Sequence, residues 1–443
     1  MEQTTIYEKP ITLKNVLRFA VPTIVMTVFM SFYTMVDGLF VSNLIGTEAL
    51  SAINLTAPIL SLVTAVSTML ATGGSAVIMR KVGAGKIEEG REDMTFLVLV
   101  NIVAGIGMSA LGYGWMDRIF AGMELSPRVF QYCHTYLSHY LLFTIPILLM
   151  NHFTLYMIAV GRSMLSMVCT ILGGILNIVL DAVLISYGNM GIAGAAVATG
   201  LGYSVTAVAG LVLFSRKSCL LHFAKPVCRF RTLFHAAVNG SSEMATALVT
   251  GIVTLLFNWT MLQYVGEMGV AAITIIMYVL MFATSLYTGY TYGVAPMISY
   301  YHGAENQEKL RKLIRMSGKI IGCIALGTLV LSEGLTEPLV GIFTRPADPV
   351  FALAVEGNRI CSVALLFIGF NVFASGMFTA LSNGLISAVL AFSRSFVFML
   401  IAMLVLPKYF GVTGVWLANP AAEAAAICLA GAMVWHFRKK YQY

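Results

Sequence analysis

The sequence predicts an all-α polytopic membrane protein whose twelve transmembrane helices form two parallel six-helix repeats, related by a pseudo-two-fold axis along the membrane normal. Hydrophobic residues make up 58% of the 443 positions and charged residues 11%, with a mean hydropathy of +0.85. Apolar runs of about 20 residues, the length of a membrane-spanning helix, recur along the chain. The two halves also match when the chain is shifted by 220 positions. A soluble domain carries roughly a quarter charged residues, so the composition excludes a soluble enzyme.

The predicted helices follow the apolar stretches in order, because backbone in lipid must satisfy its hydrogen bonds within the segment. They cover residues 13–44, 49–80, 94–121, 128–158, 163–187, 190–215, 232–264, 267–301, 310–334, 348–380, 384–406 and 411–437. The start of the chain is expected to be the first helix and not a signal peptide, since acidic residues precede it and its apolar run is too long. The seven cysteines include no C-x-x-C spacing, so we expect neither a disulfide framework nor a metal site.

Basic residues indicate the orientation, because lysine and arginine concentrate in the cytoplasmic loops of membrane proteins. With both termini on one side, that side carries 21 of the 27 basic residues, and the opposite side carries Arg118, Arg128, Arg345 and Lys408. We therefore predict a multi-pass protein of the inner or plasma membrane with both termini cytoplasmic. The formal charge of +7 is spread over short clusters between apolar runs, so nucleic-acid binding is not expected.

An internal duplication divides the chain into two lobes. At the offset of 220 the matches include Gly46/Gly266, Ala52/Ala272, Thr64/Thr284, Gly73/Gly293, Gly83/Gly303, Ala84/Ala304, Asn151/Asn371 and Gly191/Gly411. One ungapped offset favours a true duplication over shared composition. It predicts an N-terminal lobe at 1–215, a cytoplasmic linker at 216–231 and a C-terminal lobe at 232–443. Two similar lobes around a cleft are the architecture of alternating access, and a duplicated fold without transport is the alternative.

Ionisable side chains inside the spans are costly in lipid and are therefore functional candidates. Asp37 and Asp181 lie in the first and fifth predicted helices, and Asn177 precedes Asp181 by one turn. Tyr136 and Thr199 lie in the fourth and sixth helices, which run the other way. At 1.5 Å per residue the five groups share one depth, about 10 Å below the outer interface. They can hold a proton or a sodium ion, the latter on Asp37, Asp181 and Asn177, and the alternative is that both carboxyls are packing residues.

The second lobe differs at these positions. Phe257 takes the place of Asp37 and Ile401 that of Asp181, so we expect the cation chemistry in the N-terminal lobe. Arg394 and Glu423 lie near the middle of consecutive predicted helices, and we interpret them as a structural ion pair in preference to substrate ligands. Glu243 is expected either to line the cleft or to cap local backbone.

A stretch of the eighth predicted helix is rich in aromatic residues and methionine, and such side chains offer an adaptable surface for flat cationic or apolar compounds. The candidates are Tyr278, Met281, Phe282, Tyr287 and Tyr290. A plain core role is the alternative for this stretch. His139 and His152 lack paired carboxylates, and no Walker-type lysine follows the glycine-rich pieces. The sequence therefore predicts neither an enzyme nor a cofactor other than the coupling ion.

Four motifs resemble the multidrug and toxic compound extrusion (MATE) family of cation-coupled exporters. They are TMVDGLFVSNLIGTEALSAINLTAPI, GAGKIEEGRED, NIVLDAVLISYGNMGIAGAAVAT and VLPKYFGVTGVWLANPAAE. The resemblance implies export of organic cations or other amphipathic toxicants against entry of protons or sodium. In the branch whose coupling acids lie in the N-terminal lobe, the matched positions are Asp37, Tyr136, Asn177, Asp181 and Thr199. Other members carry further acids on helices 7, 8 and 10, where this chain has only Glu356 near the outer end of the tenth.

Two other functions stay open at this point. A related flippase for lipid-linked oligosaccharides shares the duplicated fold but usually needs a basic cleft for pyrophosphate, and here only Arg394 is central. A membrane-embedded enzyme such as an acyl transferase needs a buried histidine with an acidic or amide partner, and the sequence indicates no such pair. We expect the chain to act as a monomer on small organic molecules.

Overall fold

A computed structural model describes residues 5–122 and 125–443, apart from the side chains of residues 5, 6, 38–43, 47 and 50. Every regular element in this part of the chain is helical, so the all-α prediction is confirmed. A helical turn at Thr5–Glu8 precedes the spans. These are α1 Leu13–Leu44, α2 Thr47–Gly83, α3 Ile87–Ala121, α4 Pro127–Leu142 with Thr144–Ala159, α5 Ser163–Tyr187, α6 Ile192–Ser215, α7 Phe230–Tyr264, α8 Glu267–Gly303, α9 Gln307–Gly334, α10 Pro349–Ser362 with Leu365–Ala380, α11 residues 384–410 and α12 residues 412–441.

The last two spans form one helical run, Gly384–Tyr441, of 58 residues. A helix of that length rises roughly 85 Å, far more than the ~30 Å of a bilayer core, so the run crosses twice. Gly411 separates the crossings with a backbone conformation that only glycine adopts without strain, φ 59° and ψ −134°.

Two spans predicted as single helices, 128–158 and 348–380, are broken instead. α4 bends by 55° between Leu142 and Thr144, and α10 bends by 51° between Ser362 and Leu365. The break in α4 has a covalent cause, because Pro146 has no N–H and its ring clashes with the Leu142 carbonyl in a continuous helix. The bend in α10 contains no proline, so the sequence carries no such signal there.

The repeat is visible in the backbone, but the prediction of one ungapped offset is wrong. Gly191 has φ 54° and ψ −134°, nearly the values of Gly411, its partner at the offset of 220. The turns at Gly161 (φ 76°) and Ser382 (φ 58°), by contrast, lie 221 positions apart. π-helical segments fall at different places in the lobes, Ala182–Tyr187 in α5 and Ser393–Phe398 in α11. A π segment accommodates an extra residue, so such insertions shift the register locally.

The lobes meet at the end of the bundle that carries both termini, which we call the terminal face. The large hydrophobic core there draws on both lobes, for example Ile78 and Phe214 with Tyr301 and Phe378. At the opposite end the lobes have separate cores, one around Phe120 and Tyr136 and the other around Phe257 and Trp416. The two lobes therefore form a V that is closed at the terminal face and open at the far end.

Candidate functional site

A cavity of about 740 Å³ lies between the lobes. Its walls come mostly from α7, α8 and α10 to α12, and α1 closes the other side with Thr27, Met30 and Ser31. Hydroxyls such as those of Thr250 and Thr254 lie among methionine and aromatic side chains. This wall combines adaptable apolar contact with scattered weak hydrogen-bonding groups, which suits small amphipathic molecules.

Three charged residues occur among the described lining residues, namely Glu243, Arg394 and Glu423. Arg394 Nε donates to Glu423 Oε1 at 2.7 Å and to Oε2 at 3.0 Å. Asn371 Nδ2 donates to Glu423 Oε2 at 2.7 Å and to the Glu423 backbone oxygen at 3.0 Å. The structure brings Arg394 and Glu423 into contact and adds Asn371, which the sequence analysis missed. Its signal was an amide in the middle of an otherwise apolar span.

Glu243 lies in the same wall, on α7. The Tyr292 hydroxyl donates to Glu243 Oε2 at 3.4 Å. The partner described for this carboxylate is therefore a side chain and not a backbone N–H. Of the two roles expected for Glu243, its position fits the cleft and not a helix cap.

The predicted aromatic surface of α8 divides into two parts. Tyr278 and Met281 line the cavity, and the Tyr278 ring stacks on Phe343 with centroids 5.7 Å apart. Phe282 is not among the described lining residues.

Two of the α8 candidates belong to the core instead. Tyr287 and Tyr290 are fully buried, and their hydroxyls donate to the Leu365 carbonyl at 2.9 Å and to Ser317 Oγ at 2.8 Å. The expectation that Tyr287 and Tyr290 face the cleft is therefore wrong for this conformation.

A second polar site, which we call the carboxyl site, lies inside the N-terminal lobe and comprises Asp37, Tyr136, Asn177, Asp181 and Thr199. Asp37 and Asp181 come from α1 and α5 and are close enough to interact directly. Asn177 Nδ2 donates to Thr199 Oγ1 at 3.2 Å, which joins α5 to α6. Asp181 is the last residue before the π segment of α5, and such segments are frequent at functional sites.

The carboxyl site contains oxygen atoms that lack donors. Asp37 Oδ1, Asn177 Oδ1 and both oxygens of Asp181 are buried without a hydrogen-bond partner in the described structure. Asp181 is 0% exposed and Asn177 1%. Buried polar atoms are almost always satisfied in folded proteins, so this cluster fits a site that receives a proton or a small cation.

Two further tyrosines complete the surroundings of the carboxyl site. Tyr33 and Tyr203 lie near each other, and both lie within electrostatic range of Asp37. Tyr136 interacts with Asp37 as well and stacks on Tyr140 with centroids 6.2 Å apart. The sequence analysis missed Tyr33 and Tyr203, although each lies four residues from a predicted site residue on the same helix face.

The described residues contain no group of three histidine, cysteine, aspartate or glutamate side chains arranged to hold a metal ion. The carboxyl site offers two carboxylates and an amide, and such oxygen ligands fit a hard monovalent cation or a proton. His152, for which no partner was expected, is fully buried with Nδ1 3.1 Å from Asn101 Nδ2. This histidine–amide pair is not among the residues that line the cavity.

A multi-pass helical protein with two lobes around a central cavity has the architecture of a membrane transporter. The model of the MatE family matches residues 22–183 and again residues 243–404, once in each lobe. These two matches cover more than half of the chain, so the chain belongs to the MatE family. Their starts lie 221 positions apart, in keeping with the shifted repeat.

Relatives and solved structures agree with this assignment. The chain is 25% identical to the multidrug export protein MepA of Staphylococcus haemolyticus, over 99% of this chain and 97% of that protein. It is 23% identical to MepA of Staphylococcus aureus strain MSSA476, over 98% and 95%. The structure is similar to the outward-facing conformation of a multidrug resistance MATE family transporter, with a TM-score of 0.90 at 22% identity over 96% of both chains.

Proposed function

We propose that this protein exports amphipathic or cationic organic compounds from the cell in antiport with H⁺ or Na⁺, by alternating access. The observation that carries the proposal is the separation of two sites on one pair of lobes. A wide cavity with an adaptable wall suits the substrate, and a small buried carboxyl site in the N-terminal lobe suits the coupling ion. The relatives named as multidrug export proteins support the substrate class.

The orientation of the cavity in the membrane follows from the distribution of basic residues. The side of the chain with both termini carries 21 of the 27 basic residues, so the terminal face is assigned to the cytoplasm of the cell membrane. The cavity of this conformation is then closed toward the cytoplasm and open outward. Both sites lie within one chain, and a monomer is therefore the proposed functional unit.

Coupling requires that ion binding favour one arrangement of the lobes. α1 carries Asp37 of the carboxyl site and also lines the cavity with Met30. Thr27 Oγ1 on the same helix donates to the Ser285 backbone oxygen of the other lobe at 2.8 Å. A proton or cation that neutralises the carboxyl pair changes the packing of α1, and through α1 it shifts the population between the two states.

Dye export from everted vesicles tests this function. A fluorescent organic cation should accumulate inside vesicles that contain the protein when a proton or a sodium gradient is imposed separately, and it should leave again when an ionophore dissipates that gradient. Vesicles without the protein are the control. Accumulation that needs ATP, or that neither gradient drives, contradicts the antiport proposal.

The flippase for lipid-linked oligosaccharides is the weaker candidate. Pyrophosphate binding needs free cationic side chains, and Arg394, the one basic residue among the described lining residues, is paired with Glu423. A flippase would move a fluorescent lipid-linked sugar between leaflets in liposomes, whereas the proposed exporter leaves its distribution unchanged.

A further inference from the structure

We propose that Arg162, Arg216 and Lys217, which we call the turn cluster, bind the phosphate headgroup of an anionic phospholipid in the membrane leaflet at the terminal face. This inference goes beyond the export function and does not depend on it. The three residues belong to two turns of the N-terminal lobe, one between α4 and α5 and one directly after α6. All three side chains are exposed.

The two turns lie near each other at Cys219. The backbone N–H of Cys219 donates to the Arg216 carbonyl at 2.9 Å, which closes the turn after α6. Arg162, from the other turn, lies within electrostatic range of the Cys219 thiol. Cys219 and Leu221 are 2% and 0% exposed and anchor the second turn in the lobe. This anchor keeps the exposed Arg216 and Lys217 in place near Arg162.

No acidic side chain balances the charge of the turn cluster. The ion pairs described for this structure include none of its three residues. The acids of the neighbouring part of α3 already have cationic partners, since Glu88 pairs with Arg91 and both Glu92 and Asp93 pair with Arg229. Unpaired cations near one another repel, so a bound anion stabilises them. Arginine binds phosphate in a bidentate manner, which makes a phosphate group the fitting anion.

The position of the turn cluster at the membrane boundary favours a lipid over a soluble anion. Arg162 directly precedes α5, and Arg216 directly follows α6. α6 has 24 residues and rises about 36 Å, which places its end at the level of the lipid headgroups. Exposed apolar side chains occupy the adjoining turns, Met164 on α5 at 59% and Val212 on α6 at 50%. Acyl chains can cover these side chains, whereas free phosphate contacts only the cations.

The second lobe has no equivalent of the turn cluster. Asn383 takes the place of Arg162 at the local offset of 221, and His436 takes the place of Arg216 at the offset of 220. The orientation of a membrane protein depends on the total of basic residues on one side, and it does not require a cluster in one lobe. The cluster is therefore a local feature, as expected of a binding site.

Native mass spectrometry of the purified full-length chain in non-ionic detergent tests the site. The chain is titrated separately with palmitoyl-oleoyl phosphatidylglycerol (POPG) and with the zwitterionic phosphatidylcholine of the same acyl chains (POPC). The parent should bind its first POPG at least about tenfold more tightly than POPC. Arg162→Gln/Arg216→Gln should weaken POPG binding about tenfold or more and leave POPC binding unchanged, because two phosphate-binding cations are lost.

The matched control is Lys312→Gln/Lys319→Gln, which removes two exposed cations of α9 and changes the net charge by the same amount. It should keep the parent's affinity for POPG. Glycerol phosphate, the headgroup without acyl chains, should not displace POPG. Lys217→Gln is a milder change and should weaken POPG binding about fivefold, so it tests the site even if Arg162→Gln/Arg216→Gln does not fold.

Four results would overturn the lipid site. They are equal affinities of the parent for POPG and POPC, unchanged POPG affinity in folded Arg162→Gln/Arg216→Gln, an equal loss in the α9 control, and displacement of POPG by glycerol phosphate at comparable concentration. The third result would show that binding follows net charge, and the fourth would show a site for soluble phosphate. None of these measurements needs an ion gradient, so a failure of the antiport function leaves the outcome unchanged.

Discussion

Gly83 and Gly303 occupy equivalent positions in the two repeats, and each packs against a backbone carbonyl of the opposite lobe. A Cβ on Gly83 would meet the carbonyl oxygen of Tyr300, and a Cβ on Gly303 would meet that of Arg80. Arg80 and Tyr300 are themselves 220 positions apart, so the contact obeys the pseudo-two-fold symmetry. Helix backbones approach this closely only across small residues. The terminal face therefore closes on a symmetric pair of glycines.

Gly303→Ala is expected to hold the terminal face open. The added methyl group collides with backbone, which cannot rotate away as a flexible side chain can. Distances between spin labels on the 84–86 and 304–306 turns should lengthen relative to the parent. The control is Gly318→Ala on α9, where a Cβ meets nothing within 4 Å. That variant should keep the parent distances and gain up to about 1 kcal/mol in helix propensity. Parent-like distances in Gly303→Ala would contradict the symmetric closure.

Tyr7, in the helical turn before the first span, bridges the two lobes at the terminal face. Its hydroxyl donates to the Ala159 carbonyl of the N-terminal lobe, and its ring stacks on Tyr300 of the other lobe with centroids 4.6 Å apart. The Tyr301 hydroxyl donates to the Tyr7 backbone oxygen at 2.8 Å. Burial raises the pKa of Tyr7, so its hydroxyl stays a protonated donor.

Tyr7→Phe should lose one hydrogen bond, about 0.5–1.5 kcal/mol of closed-state stability, and Tyr7→Ala should lose the stacking as well. The same spin-label distances measure the closed population, which should fall in the order parent, Tyr7→Phe, Tyr7→Ala. Tyr443→Phe is the control, because the Tyr443 hydroxyl bonds Val434 at 3.2 Å within one lobe. Equal closed populations in all four proteins would remove the bridging role.

Asp93 ties the linker to the N-terminal lobe. Its fully buried carboxylate accepts from Lys81 Nζ at 2.5 Å and from Arg229 Nη1 at 3.0 Å. Asp93→Asn leaves both cations without their buried partner, and we expect a loss of about 1–3 kcal/mol in the free energy of unfolding. Thermal unfolding in detergent measures the loss. Glu88→Gln is the control, since Glu88 is 73% exposed and its pair with Arg91 is worth at most about 0.5 kcal/mol. Equal losses in the two variants would contradict the buried tether.

The topology is tested at a pair of equivalent alanines, Ala84 and Ala304, which are exposed in turns of the terminal face. Cysteines introduced there should react with a membrane-impermeant maleimide only from the cytoplasm, because an even number of crossings separates the two turns. A cysteine at exposed Ala347, on the far end, should react only from outside. The exposed native cysteines Cys228, Cys323 and Cys428 are replaced beforehand. Labelling of either terminal-face position from outside would overturn the assigned orientation.

Much of this architecture was predictable because a helix that spans lipid must be long and apolar, which makes the spans easy to recognise in the sequence. Apolar length defines the spans, and a polar side chain inside a span is conspicuous, which is how Asp37, Asp181, Arg394 and Glu423 were found. Because most residues of a span are apolar, the sequence does not indicate which face of the helix is buried. Lipid, core and cavity all accept apolar residues, so spacing on α8 did not distinguish the core residue Tyr287 from the cavity residue Tyr278.

Other features depended on the packing between elements. Pro146 could have indicated the bend in α4, which was predicted as one straight span, but the bend in α10 has no local marker. The register shifts arise from π segments, which have no clear sequence signature. The closed end of the V depends on contacts such as Gly73 against the Ala236 carbonyl, and one sequence serves both states of a transporter. The sequence therefore indicates that two conformations exist, but it does not indicate which of them is populated.

Asp37 and Asp181 should carry the coupling between ion and substrate. Two carboxyls in contact within a poorly solvated site cannot both ionise cheaply, so the pair retains a proton or binds a cation. Asn at either position removes one charge and most of the site's response to the gradient, while the amide preserves the shape. Asp181→Asn and Asp37→Asn should therefore bind dye as the parent does and lose a coupling free energy of about 1–3 kcal/mol, a 5- to 150-fold loss of gradient-driven accumulation.

The measurement is export in vesicles at several pH values and sodium concentrations, with dye binding determined separately. Asp117→Asn is the matched control, because Asp117 is 79% exposed and pairs with His134 at 3.4 Å, away from the carboxyl site. It should retain the parent's dependence on both ions. A loss of dye binding in Asp181→Asn would indicate a structural role, since the cavity lies outside the carboxyl site. Parent-like export with unchanged pH and sodium dependence in both carboxyl variants would show that the coupling ion does not bind in this lobe. Glu243 would then be the next carboxylate to test, because among the described residues it is the acid of the cavity wall that is not paired with Arg394.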